Sequence, residues 1–226
     1  HGDRVEAMAG AIVGSLNNVL VAHIEGGELS GTVDELIRHA VSKISHIHLV
    51  ANNEARRRLV QLGELSKSIF IFGSPDLDLM SSSLLPKLND VKKYYDIEFE
   101  NFAIAILHPV TTEFKDTKRN VAEFVNALLD SKENYIVIYP NNDLSSNEII
   151  QEFKRLNDNK RIKVFPSLRF EYFLTLLKNS KYIIGNSSAG IREAPYYQTP
   201  SVDIGSRQYN RATGPSIFSS NNDFKS

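Results

Sequence analysis

The sequence contains no cysteine and no tryptophan. Without cysteine there is no disulfide, no thiolate nucleophile and no cysteine-bound metal. That absence fits a reducing cytoplasm. No apolar run approaches the roughly 20 residues of a membrane-spanning helix, and the opening residues do not read as a secretory signal. No charge of either sign dominates. The net charge is -1, which excludes a bulk electrostatic pull toward nucleic acid or an anionic membrane. The chain also lacks a Walker motif and a GxGxxG fingerprint, so the two commonest glycine-rich phosphate loops are absent. No internal repeat and no low-complexity tract is visible.

The rest of the composition is that of an ordinary globular protein. There are 226 residues, 42% of them hydrophobic and 23% charged. Short β-branched and aromatic runs alternate with helical periods. Strands are expected at 18–24, 46–51, 68–73, 102–108, 135–140, 161–166, 181–186 and 200–205. Most are near-continuous apolar runs, as strands buried on both faces tend to be. Helices are expected at 5–16, 32–45, 54–62, 121–129, 147–156, 170–177 and 189–196. Strands alternating with such helices imply βαβ units and a parallel sheet. The stretch from Gly73 to Asp90 carries serines, two prolines and turn residues, and reads as a domain break.

In open parallel sheets, ligands bind beyond the carboxyl ends of the strands. Three segments place polar residues there. In KYIIGNSSAGIREAP, Gly185 and Asn186 follow a strand, Ser187 and Ser188 come next, and a helix is expected near Ala189. Hydroxyls and N–H groups at a helix start form an anion site, and Glu193 about one turn on suits a ribose diol. A serine cap with an acidic first turn explains the same residues without a ligand. In ILHPVTT, His108 ends an apolar strand that Pro109 stops. It either titrates in a cleft or merely caps the strand.

In HIEGGELSGTVDELIRHA, Glu25 follows a strand, and Gly26 and Gly27 permit close approach of backbone or ligand. Thr32 and Glu35 form a capping-box pattern. Asp34 and Arg38 share a helical face at i and i+4. A capped helix with a surface ion pair accounts for Thr32 and Glu35 but leaves Glu25 unexplained. Asp3 is a further N-cap candidate. His46 and His48 share a strand face, with no third metal ligand placed nearby. Arg56, Arg57 and Arg58 read as a solvated helix face.

Together, HGDR, HIEGGELSGTVDELIRHAVSKISHIH, GSPDLD, HPVTT, YPNND, IGNSSAGIREAP and TPSVDIGSRQYNR resemble the UDP-N-acetylglucosamine 2-epimerase family. They occur in the family's order and cover most of the chain. The HIEGGE…SGTVDE form is similar to the hydrolysing branch of bacterial sialic acid synthesis. The resemblance implies an α/β fold of the glycosyltransferase-B type, with two Rossmann-like domains and an active site in their cleft. The domains would span 1–78 and 79–226. By that comparison the N-terminal domain is incomplete and a C-terminal helical end is lacking.

The resemblance also implies roles. Ser187 and Ser188 would hold phosphate and Glu193 the ribose. Arg207 and Asn141 match nucleotide-side positions, and His108 would face the diphosphate. The loop from Phe165 to Phe170 would lie on the uracil side. Asp3, Glu25 and Asp34 match the acid/base carboxylates, and Arg38 would orient Asp34 or the substrate. No metal, nicotinamide or other cofactor is implied. A UDP-sugar is the expected partner, in a homodimer or higher homo-oligomer, with no nucleic acid and no membrane. A non-hydrolysing epimerase, a hydrolysing epimerase of a diacetamido UDP-sugar and a UDP-sugar-binding module without turnover are the alternatives.

Overall fold

Buried parallel strands need apolar residues on both faces. The apolar runs at 103–106 and 135–137 fold in that way, whereas those at 22–24 and 69–71 keep exposed residues. The structure is a computed structural model that describes residues 4–29, 33–81, 83, 85–110, 116–141, 145–208 and 214–222. The chain divides into two compact units, His1–Ser81 and Ser82–Ser226.

In the first unit the elements run α1 (Val5–Leu16), β1 (Ala22–Ile24), α2 (Val33–Lys43), β2 (Ile47–Val50), α3 (Asn53–Gln61), β3 (Ile69–Ile71) and α4 (Pro75–Ser81). The three strands form one parallel sheet in the order β1-β2-β3. Val50, Ala55, Leu59 and Ile69 make its small core. Helix α3 starts where the Asn52 side chain accepts the Ala55 N–H at 2.9 Å, a normal N-cap. Strand β1 begins later than its apolar run suggests. Asn18 adopts φ 57°, and the Val19 N–H reaches back to the Gly14 carbonyl at 3.0 Å. That left-handed stop consumes residues 18 and 19 in ending α1.

The second unit holds α5 (Leu88–Tyr94), β4 (Ala103–Ile106), α6 (Thr117–Asp130), β5 (Tyr135–Ile138), α7 (Ser146–Phe153), β6 (Ile162–Phe165), α8 (Phe170–Lys178), β7 (Ile183–Gly185), α9 (Glu193–Tyr196), β8 (Ser201–Ile204) and β9 (Ile217–Ser220). Its sheet is parallel throughout, in the order β6-β5-β4-β7-β8-β9. Strand β4 lies at the middle and is buried along its whole length. Ala103 and Ala105 face a cluster built from Val121, Phe124, Val125 and Leu128 of α6 with Ile149 and Phe153 of α7. Small residues on the strand let those large side chains close over it. Alternation turns Ile104 and Ile106 to the opposite face, where they are also buried. Fully burying each such aliphatic side chain contributes about 1.5–3 kcal/mol.

The stretch 73–90, read as a domain break, contains α4 and the start of α5, and the two units divide within it, after Ser81. Pro75 stands at the first position of α4, where its missing N–H is harmless, and Asp76 lies in the first turn. The helix expected over 189–196 is interrupted. A 3-10 turn, Ser188–Gly190, is followed by the four-residue α9. Finally, β9 is a strand that the apolar runs do not announce.

Candidate functional site

The sheet of the second unit reverses its winding between β4 and β7. Strands β5 and β6 add on one side of β4, and β7, β8 and β9 add on the other. At such a point the loops leaving neighbouring strands turn opposite ways and open a crevice. His108 lies just beyond β4, and Asn186, Ser187 and Ser188 lie just beyond β7. The two strands meet closely. Gly185 has φ +133°, and a Cβ on it would stand 1.9 Å from the Ile106 carbonyl oxygen.

A cavity of about 380 Å³ opens at these carboxyl ends, within the size range of small-molecule sites. Ile106 and His108 line it from β4, Ile138 to Asn141 from β5, Pro166 to Leu168 from β6, and Ser187, Ser188, Ala189 and Glu193 from beyond β7. Phe170 and Phe173 of α8 add apolar surface. Five of the residues picked out by sequence thus converge on one cavity: His108, Asn141, Ser187, Ser188 and Glu193.

The polar groups are wired together. The His108 Nδ1 lies 2.9 Å from the Asn141 Oδ1 and 3.3 Å from the Asn141 backbone N–H. One ring nitrogen cannot serve both, since the first contact needs Nδ1–H and the second a lone pair. The shorter contact favours Nδ1–H donating to the Asn141 Oδ1. The His108 backbone N–H donates to the Asn186 Oδ1 at 2.7 Å. In return the Asn186 Nδ2 donates to the His108 carbonyl at 2.9 Å. The Asn186 carbonyl accepts from Arg207 at 3.0 Å and from the Gln208 side chain at 2.8 Å. Arg207, expected on the nucleotide, is thereby tied to the same crevice.

Ser187 caps the 3-10 turn, its Oγ accepting the Ala189 N–H at 3.3 Å. The helix-dipole argument for an anion site weakens here, because α9 sums only four peptide units. Glu193 opens α9 and is buried. Tyr197 beside it has its phenol pushed above the ordinary range by burial, by Tyr196 and by the Glu193 charge. Asp203 on β8 pairs in register with Gly185. Burial pushes its carboxyl up to about 6, against the downward pull of Arg207.

The loop 166–169 is buttressed from behind. The Arg169 backbone N–H donates to the Tyr95 hydroxyl at 2.9 Å. The Tyr95 ring meets Phe165 edge-on at 5.2 Å. The Arg169 guanidinium lies over Tyr94 at 5.2 Å and over Tyr172 at 5.7 Å, cation–π geometry that fixes the loop's far end.

In the first unit, Asp3 and Thr32 fall outside the described residues. Glu25 ends β1 in a left-handed conformation, φ 61°. Its N–H donates to the Leu49 carbonyl at 2.7 Å, and its buried carboxylate accepts the Ser74 hydroxyl. The neighbouring glycines are explained by the protein's own atoms. A Cβ on Gly27 would meet the Ala55 carbonyl at 2.4 Å, and one on Gly26 would meet His23 at 2.8 Å. Asp34 lies half-buried in the first turn of α2. Arg38 is buried and donates to the Glu28 carbonyl at 2.9 Å. His46 and His48 part company: His46 is exposed, while His48 is buried 3.3 Å from Glu64. Burial holds the His48 imidazole below its ordinary range, against the raising effect of Glu64.

Sequence reasoning missed Asn186, Asp203 and Tyr95. For Asn186 a signal was present, since it directly follows a strand as His108 does. Tyr95 and Asp203 act through contacts with residues remote in sequence.

Residues 1–225 match the family model described as UDP-N-acetylglucosamine 2-epimerase. A UDP-N-acetylglucosamine 2-epimerase of Neisseria meningitidis is 58% identical over 218 residues, covering 96% of this chain and 58% of the relative. A GDP/UDP-N,N'-diacetylbacillosamine 2-epimerase (hydrolyzing) of Campylobacter jejuni is 35% identical over 231 residues, covering 97% of this chain and 58% of the relative. The chain thus spans 58% of the length of both. Among solved structures, UDP-GlcNAc 2-epimerase from Neisseria meningitidis bound to UDP-GlcNAc superposes with a TM-score of 0.78 at 14% identity. That superposition covers 100% of this chain and 64% of that one. At that identity the superposition establishes the α/β fold of the glycosyltransferase-B type.

Proposed function

The chain belongs to the UDP-N-acetylglucosamine 2-epimerase family, and from that premise we propose that it acts as a hydrolysing 2-epimerase. The substrate is UDP-N-acetylglucosamine, and the products are N-acetylmannosamine and UDP, feeding sialic acid biosynthesis. The observation that carries the reading is the convergence of His108, Asn141, Ser187, Ser188 and Glu193 on one cavity at the β4–β7 reversal. That is where a doubly wound sheet holds a nucleotide.

In this reading Ser187 and Ser188 bind the diphosphate and Glu193 accepts hydrogen bonds from the ribose diol. The loop from Phe165 to Phe170 takes the uracil. His108 meets the diphosphate through Nε2, its ring held by Asn141. Arg207 adds positive charge. As the C1–O bond breaks, the departing diphosphate takes the electron pair, and these donors stabilise it.

The carboxylates Asp3, Glu25 and Asp34 handle the proton at C2, and Arg38 orients Asp34 or the substrate. Loss of that proton anti to the departing UDP forms 2-acetamidoglucal. Water then adds its hydroxyl at C1, and a proton returns to C2 on the opposite face. Removal and return on two faces need more than one carboxyl group, poised differently. No metal or redox cofactor enters this balance. A cysteine-free chain suits the cytoplasm, and a homo-oligomer is the proposed assembly.

The test is the product spectrum from UDP-N-acetylglucosamine in deuterated water. The expected result is N-acetylmannosamine carrying deuterium at C2, with one UDP per sugar. UDP-N-acetylmannosamine as the released product would establish the non-hydrolysing reaction instead. Preferential turnover of UDP-N,N'-diacetylbacillosamine would reassign the sugar. UDP binding without turnover would reduce the protein to a binding module.

A further inference from the structure

Asn186 is bonded through its backbone N–H, its carbonyl and both atoms of its side-chain amide. It is 2% exposed. Its backbone N–H donates to the Ile106 carbonyl at 3.1 Å, a last rung beyond the β4–β7 ladder. Past that rung the ladder ends, and the side chain takes over. Its amide accepts from the His108 N–H at 2.7 Å and donates to the His108 carbonyl at 2.9 Å. This two-point pairing imitates a further rung. The Asn186 carbonyl has two acceptor sites, and Arg207 and Gln208 occupy both.

We propose that Asn186 is a positioning residue that sets His108 and Arg207 in one frame, so that both address the same ligand. The proposal rests on the reading of this crevice as a nucleotide site. Asparagine suits the task for a stereochemical reason. One short, planar side chain must supply a donor and an acceptor to the same residue. Aspartate has no donor and would set a charge against the His108 carbonyl. Serine is too short to span both atoms, and alanine supplies neither. Fixing the His108 backbone also fixes where its ring meets Asn141, 2.9 Å away. The tautomer of His108 therefore depends on Asn186, although the two side chains share no bond through the ring.

Two measurements test this. The first needs no ligand: ¹⁵N shifts of the His108 ring, identified by their loss in His108→Gln. The native protein is expected to show the Nδ1–H tautomer when neutral. Asn186→Ala is expected to relax the ring to the mixture of a solvated imidazole, which a purely stabilising role would not do. The second is a double-mutant cycle on UDP affinity. Asn186→Ala should lose about 10- to 100-fold when His108 is present. It should lose about threefold or less in the His108→Ala background, because the two act as one unit. Additive losses, or an unchanged tautomer with native affinity, would overturn the proposal. Should Asn186→Ala fail to fold, Asn186→Ser takes its place in both measurements. If the native protein does not bind UDP at all, the nucleotide reading fails, and the ring shifts alone still decide whether Asn186 positions His108.

Discussion

A Cβ atom placed on Gly185 would stand 1.9 Å from the carbonyl oxygen of Ile106. The closing rung of the β4–β7 pair therefore admits glycine alone, and the crevice above it inherits its width from that contact. Gly185→Ala adds a backbone conformation that L-residues avoid to an overlap with main-chain atoms. Together these should cost about 3 kcal/mol or more. Urea denaturation is expected to show a midpoint well below native, with UDP affinity reduced in the fraction that folds. A native midpoint would mean that β7 can retreat freely and that the crevice is not set by this residue.

Glu193 is buried where it lines the cavity. If it holds the ribose, Glu193→Ala removes a charge-assisted partner worth about 1.5–3 kcal/mol of UDP binding. Titration calorimetry should show this loss with the circular dichroism spectrum unchanged. The native protein should also lose affinity for 2'-deoxy-UDP, whereas Glu193→Ala should discriminate little between the two nucleotides. Equal UDP affinity in native protein and variant would remove Glu193 from the ribose.

Asp203 should give stability a pH dependence. Burial raises its carboxyl from an ordinary value near 3.8 to about 6, so the folded state holds its proton more tightly than the unfolded chain. The stabilisation is complete below about pH 4 and is lost as pH rises through about 6. Asp203→Asn keeps the shape without the charge. Its thermal midpoint should match native below about pH 4 and exceed it at pH 7.5, by up to roughly 3 kcal/mol in stability. A variant less stable than native at pH 7.5 would show that the Arg207 attraction outweighs burial.

Much of this could be read from local sequence, and the exceptions have physical causes. The apolar runs around Ile104, Ile136 and Ile183 announce strands buried on both faces, and His108 and Ser187 stand out because they come directly after such runs. Strand β9 escapes because it lies at the sheet edge with Phe218 largely exposed, so no continuous apolar run marks it. The interruption after Ser188 escapes because the spacing from Ala189 to Tyr196 is helical. Packing decides otherwise, since a Cβ on Gly190 would meet the Ser201 hydroxyl at 2.5 Å, and Pro195 has no N–H with which to extend a helix through 189–196. Asn186 pairs with a residue 78 positions away, a contact that no local pattern encodes.

Tyr95 supports the cavity loop through its hydroxyl, which accepts the Arg169 N–H, and through its ring against Phe165. Tyr95→Phe keeps the ring packing and deletes one hydrogen bond, worth about 1 kcal/mol. The loop from Phe165 to Phe170 should hold the base less well. Uridine-containing ligands are then expected to bind a few-fold more weakly, while inhibition by pyrophosphate is unchanged. Parallel losses for both ligands would place the loop's influence on the phosphates instead.

Asp34 separates a structural from a catalytic carboxylate. It lies half-buried in the first turn of α2, four residues before Arg38. If its role is to favour the helix N-terminus, Asp34→Asn costs about 0.3–1 kcal/mol of stability and leaves turnover nearly intact. If it handles the proton at C2, the amide is close to isosteric but can neither accept nor deliver that proton. General acid/base groups contribute roughly 10²–10⁴-fold to rate. The variant is therefore expected to bind UDP normally and to lose at least about a hundredfold in kcat. Exchange of the C2 hydrogen with deuterated solvent should slow alongside it, which a helix-capping role would not produce. Turnover near the native rate would make Asp34 structural, and the proton chemistry would then fall to Glu25 and Asp3.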